Sequence, residues 1–262
     1  MKHLFTIILF FVGFQASNVT KEPAFQEGEW FKFEMSYSGF LKAGNATLSV
    51  NETKLQGKPV YHVVGKGWTT GAIKWFFKVK DRYESYFDKE TGAPYKFIRK
   101  IDEGGHTKDI EINFDHDNRI AEVKNKKHKE ISTIKTEKDV QDMVSMYYYL
   151  RNNIDVESLK QGDEIKTNMF FDEENYGFKL KYLGRETIEV DINGTDVKVK
   201  TIKFRPYVMA GRVFKEEESL TLWVSADKNK IPLKIKADLA VGSLRADLIE
   251  FKGLKHSFKI EF

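Results

Sequence analysis

The chain has no cysteine among its 262 residues. That excludes disulfides as a source of stability. It also excludes a lipid-modified cysteine, the tether of bacterial envelope lipoproteins. No linker rich in Pro, Gly or Ser divides the chain, and proline is scarce at five residues. Beyond Phe14 no run approaches the roughly 18 apolar residues of a membrane helix. Charge of one sign is lacking too: 43 Lys and Arg offset 39 Asp and Glu, leaving +4. That balance gives no argument for nucleic acid as a partner. There is no Gly-x-Ser-x-Gly elbow and no repeat of fixed period.

What is present begins with an export signal. Met1, Lys2 and His3 form a short basic start, and Leu4 to Phe14 is apolar apart from Thr6 and Gly13. Ala16 and Ser17 supply small residues where a signal peptidase would cut. Residues 1–17 therefore read as a secretory signal peptide, too short to span a bilayer as a permanent helix. Set against the missing cysteine, export points to the periplasm of a Gram-negative bacterium. The mature protein is expected there as a soluble protein, not a lipoprotein, with no transmembrane segment left after cleavage.

Residues 18–262 read as one β-rich domain. Hydrophobic residues make up 41% and aromatics 14%, including 21 Phe and 11 Tyr. Such aromatics suit a half-buried pleated surface. Phe31, Phe33, Met35 and Tyr37 alternate with polar residues, the period of a strand with one wet face. Ile73 to Tyr86 is the longest alternating segment, with Ile73, Trp75, Phe77, Val79 and Tyr83 on one face. Asn193-Gly194, between Thr187–Ile192 and Thr195–Phe204, predicts a type I′ hairpin. Its register would place Val190 opposite Val197 and Ile188 opposite Val199. One helix breaks the series, since Val140, Met143, Val144, Tyr147 and Leu150 recur at three and four. Thr136 and Asp139 read as its capping box, and Arg151-Asn152-Asn153 as its end. Roughly a dozen strands with short turns argue for antiparallel connectivity. A sheet of that size must curl, close or fold over. The expectation is a mainly β fold: a large curved antiparallel sheet or open barrel with one packed helix. A seam between sheet halves would fall at 124–153.

Three segments, in order, carry a resemblance. They are Gly28 to Tyr37 running into Lys42-Ala-Gly-Asn-Ala-Thr-Leu48, then Phe77 to Asp88 leading to Pro94, and Asp142 to Arg151 on the helix. Together the chain resembles an exported bacterial family known as domain of unknown function 3108. The resemblance implies a periplasmic, β-rich protein and brings no catalytic residue with it.

The aromatic rows are the most suggestive chemistry. Phe31, Phe33, Trp68, Trp75, Phe77 and Tyr83 could line a curved sheet and hold an acyl chain, because apolar burial is worth about 25 cal/mol per Å². Simple core packing is the competing reading. Lys124 to Lys129 is the densest basic run, and Lys74, Lys78, Lys80 and Arg82 form a second basic face. Either could meet anionic headgroups, or be an ordinary solvated surface. Asp81, Arg82 and Arg151 are polar candidates, for a ligand headgroup or for a helix-to-sheet lock between Asp81 and Arg151. Asp115, His116, Asp117 and Glu111 include metal-ligand residue types. No second histidine stands at ligand spacing, so no metal, cofactor or catalytic residue is nominated. The leading expectation is a non-enzymatic protein binding a lipid or other apolar envelope molecule. The alternatives are an interaction module of an outer-membrane assembly, docking an envelope protein by strand addition, and a cell-envelope hydrolase.

Overall fold

The computed structural model describes residues 22–209 and 220–261, so the export signal at 1–17 lies outside the described residues. Strands β1 (Trp30–Tyr37), β2 (Leu41–Leu55), β3 (Lys58–Thr69), β4 (Lys80–Asp88), β5 (Pro94–Glu103), β6 (His106–Asp115), β7 (Ile120–Asn125) and β8 (Glu130–Lys135) form one meander. Strands β9 (Glu164–Phe171), β10 (Glu174–Ile192), β11 (Thr195–Met209), β12 (Leu220–Ser225), β13 (Pro232–Asp238) and β14 (Ser243–Lys252) form another. Antiparallel pairing of β1 with β14 joins them into one 14-stranded sheet. The fold is thus the curved antiparallel sheet expected from the alternation, with a helix α2 (Met143–Asn153) packed on it. Among the described residues no helix is long and apolar enough to cross a membrane.

The sheet curls but does not close. Its edges are β8 and β9, the strands on either side of α2 in sequence. No ladder joins them among the described residues; a side chain at the start of β10 reaches the end of β8 instead. Asn175 donates to the Lys135 carbonyl at 2.8 Å and accepts from the Glu137 N–H at 3.1 Å. A single parallel bridge, Gln141 to Met169, covers part of the β9 edge.

The Asn193-Gly194 hairpin has the register expected for it, with Val190 opposite Val197 and Ile188 opposite Val199. Both turn residues have positive φ, 54° and 78°, as a type I′ turn requires. Two other expectations need correcting, and one strand escapes the sequence pattern. Ile73–Phe76 is a single helical turn, α1, and β4 starts only at Lys80. Gly71 turns the chain out of β3 with φ +57°, and Trp68 already pairs with Lys80. Residues 70–79 are therefore a connection outside the named strands, with a single bridge from Val79 to Glu103 where it rejoins the sheet. The helix is capped by Asp142, not by Thr136 and Asp139. Asp142 accepts from the Val144 and Ser145 N–H groups at 2.7 and 2.8 Å, and Ser145 Oγ accepts from the Asp142 N–H at 3.0 Å. Asp139 has φ 53°, a left-handed value that a right-handed helix does not accommodate. Finally, the basic run at 124–129 is mostly a hairpin turn, and it leads into β8, which the hydrophobic pattern does not reveal.

Two apolar clusters fill the concave side. In the larger, Val144, Met146, Tyr148 and Leu150 of α2 pack with Phe87, Phe97, Ile112, Phe170 and Phe204 of the sheet. In the smaller, Val190 and Val199 near the tip of the long β10–β11 hairpin pack against Phe31, Phe33, Leu233 and Leu248. Full burial of each such side chain stabilises by about 1.5–3 kcal/mol.

Candidate functional site

The nominated aromatics do not converge on one site. Phe31 and Phe33 are 0% and 7% exposed and belong to the smaller core cluster. Tyr83 packs against the larger cluster. These three pack in the apolar core of the sheet. Trp75 and Phe77 ride on the β3–β4 connection, 89% and 51% exposed. Trp68 is the one member of the set that lines a groove.

That groove lies at the end of the sheet where the β3–β4, β5–β6 and β7–β8 connections turn, and its volume is about 930 Å³. Strand register builds it. Lys66 of β3 stands opposite Arg82 of β4, Arg82 opposite Lys100 of β5, and Lys100 opposite Asp109 of β6. One step along, Trp68 stands opposite Lys80. The period of two sends these side chains to the face away from the inward row of Val63, Ser85 and Phe97. The β3–β4 connection adds Lys74 and Lys78, and the β7–β8 turn adds Lys126 and Lys127. A hydrogen bond of 2.8 Å from the Gly104 N–H to the Lys78 carbonyl pins the connection to the β5–β6 turn.

The groove is cationic. Lys66, Lys74, Lys78, Lys80, Arg82, Lys100, Lys108, Lys126 and Lys127 line it, against Asp81, Asp102 and Asp109. Several of these cations are committed to ion pairs. Arg82 donates to Glu84 at 2.6 Å, Lys126 to Glu111 at 2.7 Å and Lys108 to Asp172 at 2.7 Å, while Lys100 lies 3.3 Å from Asp109. Lys66, Lys74, Lys78 and Lys80 are exposed and enter no salt bridge among the described residues. Their methylene stems and the Trp68 ring supply apolar wall while the ammonium groups stay in water. Asp81 adds a titratable group. Burial first, and the neighbouring Glu103 carboxylate second, push its pKa up to about 6. Its Oδ1 accepts from the Asp102 N–H at 3.3 Å. Its side chain alternates with those of Lys80 and Arg82 and takes the opposite face, so above about pH 6 this end of the sheet carries one more negative charge than below it.

Arg151 belongs elsewhere, and the expected lock between Asp81 and Arg151 is replaced by another. Arg151 is buried at the end of α2 and donates to Glu29 twice, at 2.6 and 2.8 Å. It also donates to the carbonyls of Asn229 at 2.9 Å and Ala24 at 3.3 Å. The rings of Phe25, Phe31, Tyr147 and Tyr148 surround the guanidinium at 5.3–5.7 Å. Burial works against its charge, but Tyr147 and Glu29 more than offset that and its pKa is raised. This is a structural lock. The residues with metal-ligand chemistry also have local partners: His116 Nε2 meets the Pro94 carbonyl at 2.7 Å, and Asp115 accepts from the Asn118 N–H at 2.9 Å.

Lys74, Lys78, Lys80 and Arg82 stand out in the sequence as one basic face, but Lys66, Lys100 and Lys108 do not. Only the pairing register gathers β3, β5 and β6 with β4, and no local pattern encodes that.

The profile of one family, described as Protein of unknown function (DUF3108), matches residues 32–249. The chain belongs to this family. The matched span runs from β1 into β14, so the DUF3108 unit is the whole curved sheet, groove and helix included. Among solved structures, a β-barrel-like protein of domain of unknown function DUF1849 from Brucella abortus is similar at 9% identity, with a TM-score of 0.56. The similarity covers 88% of this chain and 100% of that one, and it supports the fold alone. A protein with a YmcC-like fold from Bacteroides fragilis aligns at 9% identity over 87% of this chain and 97% of that one, with a TM-score of 0.34. No curated protein matches the chain.

Proposed function

We propose that this DUF3108 protein is an exported, non-enzymatic binding protein of the periplasm. Its ligand is an amphipathic envelope molecule with an anionic head, such as an acidic lipid. The observation that carries this reading is the groove: four lysines without ion-pair partners, Lys66, Lys74, Lys78 and Lys80, stand around Trp68 in a space of about 930 Å³. That volume suits a small amphiphile. The lysines would hold a phosphate or carboxylate by charge-assisted hydrogen bonds. Trp68 and the lysine stems would cover the first methylenes. Export rests on residues 1–17. The filled concave side favours a rim site over the interior.

The test is titration with a short-chain phosphatidylglycerol, whose single charge does not change between about pH 5 and 7.5. Saturable binding that weakens with salt is expected. Lys78→Glu/Lys80→Glu should weaken it about tenfold or more, since each lysine near such a headgroup contributes roughly 1 kcal/mol. Binding should also tighten as pH falls through about 6, where Asp81 takes up a proton, and Asp81→Asn should remove that dependence. Binding that the double charge reversal leaves unchanged would rule the groove out.

A further inference from the structure

Exposed apolar side chains crowd the same end of the sheet, and neither core cluster uses them. Phe40 and Leu41 project from the β1–β2 turn, Trp75 and Phe76 from the β3–β4 connection, and Val241 from the β13–β14 turn. Phe76 is 88% exposed, Phe40 79% and Val241 77%. Strand order makes these tips neighbours, because β1 lies between β2 and β14 and β3 lies beside β2. Hydrogen bonds tie them together. The Tyr37 hydroxyl donates to the Val241 carbonyl at 2.9 Å, the Ser38 N–H to the Ser243 carbonyl at 2.7 Å, and the Thr70 N–H to the Ala43 carbonyl at 3.0 Å. The apolar groups therefore form a ridge held by the sheet.

Charge decides what covers it. Lys74 and Lys78 flank Trp75 and Phe76 in sequence and have no salt-bridge partner among the described residues. Lys42, beside Leu41, pairs with Glu34 at 2.7 Å and stays exposed. Lysines are depleted in the core of a protein interface. Interleaved with exposed aromatic tips, they suit the boundary between water and an anionic bilayer, where rings enter the headgroup layer and ammonium groups meet phosphates. An apolar ridge of this kind also needs an occupant.

We propose that this end of the sheet docks on the surface of an anionic phospholipid bilayer, with Trp75, Phe76 and Phe40 inserted at the interface. The proposal goes beyond ligand binding in the groove and stands without it. The test is co-sedimentation of the full mature chain with phosphatidylglycerol–phosphatidylethanolamine vesicles and with phosphatidylcholine vesicles. Association with the anionic vesicles is expected, with quenching of tryptophan fluorescence by brominated acyl chains that Trp75→Phe removes. Trp75→Ser/Phe76→Ser should weaken association about tenfold or more. It should leave circular dichroism and short-chain phosphatidylglycerol binding intact, which separates this surface from the groove. Phe40→Ser, on another connection, should weaken association independently. No association, equal association with both vesicle types, or association undiminished in the combined Trp75→Ser/Phe76→Ser/Phe40→Ser variant would each overturn the proposal. So would a photocrosslinker at position 75 that captures a protein in place of lipid.

Discussion

Replacing Arg151 with alanine is expected to destabilise the protein by about 3–5 kcal/mol, because the change strands Glu29 as a buried, unpaired charge. The side chains of both residues are almost completely inaccessible, at 2% and 0% exposed. The guanidinium also satisfies the carbonyls of Asn229 and Ala24, which lose their donor with it. Three chain segments meet at this one group: the stretch before β1, which supplies Ala24 and Glu29, the end of α2 and the β12–β13 turn. At roughly 2–4 °C per kcal/mol for a chain of this size, the melting temperature should fall by about 6–20 °C. Urea unfolding measures the loss. A double variant, Glu29→Leu/Arg151→Met, should cost clearly less than Arg151→Ala, since it removes the stranded charge as well as the pair. A loss below about 1 kcal/mol for Arg151→Ala would mean that the pair does not lock the end of α2 to the stretch before β1.

The second large effect is a pH dependence centred on Asp142. Its carboxylate caps α2 and accepts from Ser85 Oγ at 2.6 Å. These hydrogen bonds favour the ionised form, but complete burial outweighs them and pushes the pKa from 3.8 up to about 6. Below about pH 3 the group is protonated in both the folded and the unfolded chain. Between about pH 4 and 6 the unfolded chain gives up the proton while the folded protein keeps it, so stability is lost as pH rises through that window. The full step is about 3 kcal/mol. Asp142→Asn keeps an oxygen for the Val144 and Ser145 N–H groups and has nothing to titrate. The difference in unfolding free energy between wild type and this variant should therefore shift by about 3 kcal/mol, in favour of the variant, from about pH 3 to about pH 6.5. Taking the difference cancels other carboxylates, such as Asp172. That group is pushed up by burial but held below its ordinary pKa by Arg99 and Lys108. A flat difference would place Asp142 in contact with water.

Local chemistry made much of this fold legible in the sequence. Asn193-Gly194 sets its hairpin because two consecutive positive-φ residues admit few turns, and the cross-strand register follows from that turn. Strand β9 and the body of α2 follow from their periods. What escaped is non-local or depends on what a segment pairs with. Residues 73–77 alternate like a strand, yet the chain has already left the sheet at Gly71, so Trp75 and Phe76 point into solvent. Strand β8 has a weak apolar pattern because it is an edge, exposed along most of its length. The partner of Arg151 lies 122 residues away in sequence, and nothing near Asp81 marks it as the wrong choice. The aromatic rows read equally well as ligand surface and as core, and only the packing of α2 and of the β10–β11 tip separates the two. The groove sits between these cases. Four of its nine cations lie in the stretch 74–82 and two at the β7–β8 turn, while Lys66, Lys100 and Lys108 arrive through the pairing of β3, β5 and β6.

The most direct measurement is a backbone amide chemical-shift map of the mature protein titrated with short-chain phosphatidylglycerol. The expected shifts cluster at Lys66–Thr69, Lys78–Arg82 and Lys100–Asp102, while the amides of Phe31, Phe33 and Tyr148 stay in place. Shifts centred on those core residues, or none at saturating lipid, would contradict a rim site for an anionic amphiphile.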